Sequence, residues 1–163
     1  MIIVIMGVSG AGKSTVGAEL ARSLGWQFFD ADDFHSPENI RKMRTANPLS
    51  DEDRLPWLEA LRALVSRLSS RGENAVLACS ALRNAFRHQL ETAGDDVRFV
   101  YLSAPVDVLD ERLRNREGHF MPAGLLASQI AALEPPDDAL LADASLPPSE
   151  LAAAIRLAYG LDA

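Results

Sequence analysis

Gly7-Val8-Ser9-Gly10-Ala11-Gly12-Lys13-Ser14, directly behind the apolar run Met1-Ile2-Ile3-Val4-Ile5-Met6, decides the fold. The stretch fits the pattern G-x-x-x-x-G-K-[ST] of a phosphate-binding loop. Its glycines let backbone N–H groups turn inward around phosphates, Lys13 reaches the outer phosphates, and the Ser14 hydroxyl suits Mg²⁺. A nucleoside triphosphate is the implied ligand. Average residue usage makes a chance match an event of about one percent in such a chain. The context lowers it further: a β-rich run precedes the loop, and Ser14 to Leu24 predicts a helix with Val16, Leu20, Ala21 and Leu24 on one face. Lys13 is also one of only two lysines, with Lys42, in a chain whose other 14 basic residues are arginines.

With 163 residues we expect one domain, 1–163, able to bury roughly two thirds of its unfolded surface. The single Cys79 forms no internal disulfide, no charged segment precedes a long apolar one, and no apolar stretch reaches membrane-spanning length. These features predict a cytoplasmic protein with no membrane partner. The formal charge of −7 argues against nucleic acid held on a broad basic surface and favours a small substrate. Two local basic clusters stand out, Arg41-Lys42-Arg44 and Arg112, Arg114 and Arg116. At helical spacing such residues ordinarily form a solvated face, but a phosphoryl-transfer enzyme also needs cations near the γ-phosphate.

Strand-like runs recur at Ile2 to Met6, Gln27 to Asp30, Ala75 to Cys79 and Arg98 to Leu102, with a weaker one at Leu140 to Ala144. Helical patterns separate them, which predicts an α/β fold with a mainly parallel sheet covered on both faces. Ser50 with Asp53 resembles a capping box, yet Pro56 points to a helix that begins near that proline and runs to about Ser70. Further helices are expected at Asn84 to Ala93, Pro105 to Asn115, Pro122 to Leu133 and Pro148 to Tyr159. Arg116 to Gly124, between two of these, is where a lid would sit.

A second chemical centre follows the second strand in Phe28-Phe29-Asp30-Ala31-Asp32-Asp33-Phe34-His35. Residues just beyond the carboxyl ends of strands face the ligand crevice of an open α/β sheet. The bland reading is an acidic turn before a helix, with Asp33 or Ser36 as N-cap. The third strand shifts the balance, because it ends in Cys79-Ser80 rather than in an acidic residue. The acidic group must then come from elsewhere, and Asp30 and Asp32 are the candidates. Either can serve as base; we assign that role to Asp32, and Asp30 with Ser14 to the Mg²⁺ site. His35 either orients a substrate hydroxyl or caps the turn. His119, in the expected lid, is the other histidine expected to contact ligand, whereas His88 lies on a charged helix. Cys79 lacks the setting of a nucleophile and reads as a buried small residue.

Together these residues resemble the bacterial-type gluconate kinases, small P-loop phosphotransferases akin to shikimate kinase and adenylate kinase. The resemblance covers nearly the whole chain. It rests on the phosphate loop, Asp30 to His35, Asn39-Ile40-Arg41-Lys42-Met43 and Pro48 to Leu58 with its Asp53-Arg54-Leu55-Pro56-Trp57-Leu58. It continues through Cys79-Ser80-Ala81-Leu82-Arg83, Arg112 to Phe120, Ser128-Gln129 and Leu133-Glu134-Pro135-Pro136. Ala31 stands where the family usually has Gly, and Arg83 where Lys is usual, which changes the geometry of an anion contact.

The resemblance implies transfer of the ATP γ-phosphoryl group to the terminal hydroxyl of D-gluconate. It also implies a three-layer fold around a five-stranded parallel sheet, a mobile lid and commonly a homodimer. Lys13, Asp32 and Arg116 would be catalytic, with Thr15, Arg112 and Arg116 joining the loop as nucleotide contacts. Gluconate needs a cation for its carboxylate at a distance from the base; Arg54 and Arg83 are the candidates, with Asp32, His35 and His119 near the sugar. Shikimate kinase or another small-metabolite kinase is the neighbouring reading, and a nucleotide-binding regulator without catalysis the more distant one.

Overall fold

Strand β1 (Ile2–Met6) is buried along its whole length, and its alternation divides the core in two. Ile3 and Ile5 pack into one apolar cluster, Ile2, Val4 and Met6 into the other, as successive side chains of a strand must. Such a strand belongs at the centre of a sheet covered on both faces. In the computed structural model, which describes residues 1–116 and 123–162, that is its position. With β2 (Gln27–Asp30), β3 (Ala75–Ala78), β4 (Val97–Ser103) and β5 (Leu140–Asp143) it forms a five-stranded sheet in the order β2-β3-β1-β4-β5. Every pairing is parallel.

Helix α1 (Lys13–Leu24) supplies Val16, Leu20 and Ala21 to the Ile3 cluster, alongside Leu109 and Leu113 of α5 (Val106–Arg114). Helix α7 (Pro148–Ala158) adds Leu151, Ala152 and Ile155. On the opposite face lie α3 (Asp51–Ser70) and α4 (Asn84–Glu91), whose Leu61, Leu64, Val65, Leu68 and Leu90 complete the other cluster. A short helix α2 (Pro37–Arg44) precedes α3, and α6 (Leu126–Ala132) follows a 3₁₀ turn at Ala123–Leu125.

The weak fifth strand forms and pairs Val100 to Ser103 of β4 with Leu140 to Asp143. Strand β3 stops at Ala78, one residue before the expected end, although the Cys79 N–H still bonds to the Ile5 carbonyl at 3.0 Å. Helix α6 begins only at Leu126, and residues 117–122 lie outside the described residues. Helix α3 departs most from expectation, beginning at Asp51 rather than near Pro56. Ser50 Oγ accepts from the Asp53 N–H at 3.1 Å, and the Asp53 carboxylate accepts from the Ser50 N–H at 3.0 Å. This reciprocal cap, with Asp51, Glu52 and Asp53 in the first turn, outweighs the single bond to the Glu52 carbonyl that Pro56 cannot make. Ser36 similarly caps α2, accepting from the Asn39 N–H at 3.1 Å, while Asp30 rather than Asp33 caps the turn before it.

Parallel strands put all their following loops at one end, and the strand order makes three of these loops neighbours: those after β2, β3 and β1. The order reverses at β1, flanked by β3 and β4, which opens a crevice there. Ser50→Ala should lower the unfolding free energy by about 1 kcal/mol through loss of half the capping box, measured as a lower denaturation midpoint at unchanged slope.

Candidate active site

The loop between β1 and α1 is shaped by its glycines. Gly7 has φ of 147° and a side chain there would meet the Leu102 carbonyl oxygen at 2.7 Å; Gly10 has φ of 86° and would meet the Leu109 carbonyl at 2.9 Å. The loop is thus seated against the end of β4 and against α5. Gly12 enters α1 in a left-handed conformation without a side-chain cap. The N–H groups of the first turn therefore remain for an anion, at the positive end of the helix. Ser9, Gly10, Gly12, Lys13 and Ser14 line a cavity of about 100 Å³. Val8 and Ala11 turn into the core and Thr15 is exposed, so of the expected nucleotide contacts these three lie off the cavity wall.

The same cavity is lined by Asp32, His35, Arg54, Trp57, Ser80, Leu82 and Arg116. Lys13 Nζ donates to the Val8 carbonyl at 3.1 Å. Burial lowers its pKa, opposed by the charges of Asp32 and Asp30. Ser14 Oγ donates to one carboxylate oxygen of Asp30, and the other accepts the Asp32 N–H at 3.0 Å. Two hard oxygen donors, a hydroxyl and a carboxylate, thus lie together beside the phosphate loop. That donor set fits Mg²⁺, which takes one or two protein groups and fills its octahedron with phosphate oxygens and water. Asp32 has its pKa pushed up to about 6, first by burial and then by Asp30, while Lys13 and Arg116 pull it down.

The turn that carries these carboxylates is held by a residue that sequence reading did not place in the site. Trp57 of α3, 5% exposed, donates its indole N–H to the Ala31 carbonyl at 2.6 Å and stacks on His35 at 4.4 Å between centroids. Phe86 backs it at 5.1 Å. Trp57 stands in the Asp-Arg-x-Pro-Trp-Leu segment, whose unusual composition was the available signal. Burial and the neighbouring Arg54 depress the His35 pKa to about 4, so the imidazole is neutral near pH 7. Its Nδ1 is buried and has no hydrogen-bond partner among the described residues.

The candidate arginines divide. Arg54 lines the cavity and lies 3.6 Å from Asp51; burial lowers its pKa, as does Arg83. Arg83 is exposed, pairs with Asp51 at 3.4 Å, and lines an adjoining cavity of about 270 Å³ that shares Arg54, Trp57, Ser80 and Leu82 with the first. Arg112, expected at the nucleotide, donates instead to the carbonyls of Gly10 at 3.3 Å and Ala144 at 2.7 Å. It braces the phosphate loop from outside the cavity wall. His119 and the rest of the expected lid at 117–122 lie outside the described residues. Cys79 is sealed in the core, its thiol pushed up to about 12 by burial, which suits the structural role expected of it.

The loop after β3 is also stiffly built. Ala81 adopts φ of 45°, a conformation costly for a residue with a Cβ. Ser80 accepts the Gly7 N–H at 3.3 Å, so the acceptor-side loop and the phosphate loop touch through backbone.

A family model described as an AAA domain matches residues 2–136. The gluconokinase of Gluconobacter oxydans is 49% identical over 138 residues, covering 83% of this chain and 76% of that protein. An unliganded sugar kinase from Janibacter sp. has a similar structure, with TM-score 0.91 and 40% identity over 99% of this chain and 95% of that one. A gluconokinase from Sinorhizobium meliloti gives TM-score 0.82 and 43% identity over 98% and 94%. Identity at this level, over 138 residues of the Gluconobacter protein, extends far beyond an eight-residue phosphate loop, and so the chain belongs to the gluconokinase family of P-loop kinases.

Proposed function

We propose that this chain transfers the γ-phosphoryl group of ATP to the 6-hydroxyl of D-gluconate, giving 6-phospho-D-gluconate and ADP. One observation carries the reading: Lys13, Ser14, Asp32, His35 and Arg54 all line a single cavity. Phosphate and sugar acid can therefore meet beside a carboxylate. In the transfer, the sugar oxygen bonds to the γ-phosphorus, the bond from that phosphorus to the β–γ bridging oxygen breaks, and the hydroxyl proton passes to Asp32. Lys13 and Arg116 neutralise charge on the transferring group. Ser14 and Asp30 would hold Mg²⁺, which supplies charge compensation on the phosphate oxygens.

Arg54 faces the gluconate carboxylate, with Arg83 flanking it from the adjoining cavity, and neutral His35 orients a sugar hydroxyl. We take residues 1–163 as one catalytic domain, acting in the cytoplasm and as a homodimer. Among the described residues no helix is long and apolar enough to cross a membrane.

Incubation of the protein with ATP, Mg²⁺ and a panel of sugar acids, with the product identified by mass and position, tests the proposal. ADP should form with gluconate and the phosphate should be found on O6; turnover of shikimate with gluconate untouched would overturn it. Asp32→Asn should retain binding of both substrates and lower kcat by about 10²–10⁴-fold, the usual worth of a general base.

The depressed His35 pKa makes a second prediction. Between pH 6.5 and 4 the unfolded chain binds a proton at this histidine that the folded chain excludes, so its contribution to stability is lost as pH falls through that window. Asp32, shifted upward, contributes with the opposite sign between 3.8 and about 6. The difference in unfolding free energy between wild type and His35→Gln isolates the histidine, and the wild-type advantage should shrink steadily from pH 7 to pH 4.

A further inference from the structure

Helix α6 and the residues just past it touch the phosphate loop and the loop after β3, which carries Arg83. From its middle, Gln129 Oε1 accepts the Ser9 N–H of the phosphate loop at 2.6 Å, across a cavity wall that both residues share with Lys13 and Asp32. Just beyond its end, Glu134 is clasped to the loop after β3. The Glu134 N–H donates to the Leu82 carbonyl at 2.8 Å, and the Glu134 carboxylate accepts the Asn84 N–H. Arg87, 3% exposed, completes the clasp by donating to the carbonyls of Ala81 at 2.8 Å, Leu82 at 3.1 Å and Glu134 at 2.8 Å. One short helix therefore spans from the nucleotide side of the cavity to the acceptor side.

The chemistry of the Ser9 contact fits a carboxamide. Ser9 is 5% exposed, and a buried N–H needs an acceptor. A carboxylate would satisfy it but set a negative charge against the phosphates; a carboxamide satisfies it without charge. We propose that Gln129 is a positioning residue for phosphoryl transfer, holding the phosphate loop at Ser9 in fixed register with the acceptor loop that Glu134 and Arg87 clamp to the same helix. This rests on the kinase reading above and adds to it a residue that acts through the Ser9 backbone. Transfer between two bound substrates is sensitive to their relative placement, a displacement of 1 Å costing about 10²-fold. The rest of the loop still binds the nucleotide.

Three proteins decide the matter: wild type, Gln129→Leu, which removes the acceptor, and Gln129→Glu, which keeps an acceptor and adds charge. Gln129→Leu should lower kcat by about 10–10²-fold with KM for ATP within about 3-fold of wild type. Its Ser9 amide, followed by NMR-detected hydrogen exchange without ligands, should exchange faster than in wild type. Gln129→Glu should restore Ser9 protection and most of kcat at saturating ATP, moving the defect into KM for ATP. Unchanged kcat in Gln129→Leu, or equal Ser9 exchange in wild type and Gln129→Leu, overturns the proposal. So does an equal loss of kcat in both variants. Thermal unfolding of each variant separates these effects from loss of fold, with Gln129→Ala as a replacement if the leucine variant does not fold. If wild type itself fails to phosphorylate gluconate, the functional reading falls, and Ser9 exchange together with ATP hydrolysis to water still decides the role of Gln129.

Discussion

Two backbone contacts set the terms for the whole site: Gly7 against the Leu102 carbonyl and Gly10 against the Leu109 carbonyl. A phosphate loop works by presenting N–H groups inward, and that shape holds only if the outside of the loop is supported. Here the support is main chain, from the end of β4 and from α5, with no gap for a Cβ. Arg112 reinforces it by binding Gly10 and Ala144 together. Charge attracts the phosphates, but close packing of backbone on backbone gives the loop a single form to offer them.

The turn that carries the carboxylates is fixed by different means. The turn from Asp30 to His35 is a single short 3₁₀ turn, Ala31–Phe34, too short to hold its place by its own hydrogen bonds. Trp57 holds it by pairing a hydrogen bond to Ala31 with a flat stack on His35. The same burial that keeps His35 neutral raises Asp32 towards the range in which a carboxylate is an effective proton acceptor. Asp30 adds to the Asp32 shift, so the proton affinity of this turn comes from burial and from its second carboxylate together.

What was legible in the sequence follows the range of the interactions. The phosphate loop, β1 and α1 are local patterns, and periodicity with residue spacing reads them directly. The carboxylates of Asp30 and Asp32 were placed by a topological rule: residues past a strand end meet the crevice. The start of α3 was misjudged because a proline was weighed above a capping box whose two bonds are also local. The partners of Trp57, Gln129, Arg87 and Arg112 were not legible, since each joins segments far apart in the chain and no nearby residue marks the contact. Arg112 shows this clearly, since its two carbonyl partners, Gly10 and Ala144, lie 102 and 32 residues away.

The seating of the phosphate loop also governs when it can come into being. β1 is made first, but it pairs with strands that begin at Ala75 and Val97, and its loop rests on Leu102 and Leu109. During synthesis the amino-terminal segment therefore waits, apolar on both faces, until well over half the chain has left the ribosome. Parallel pairing between distant segments is slow and leaves such strands open to aggregation. A nascent chain shorter than this has the complete nucleotide motif in its sequence and no surface on which to fold it, so nucleotide can stabilise only chains that have already grown past α5.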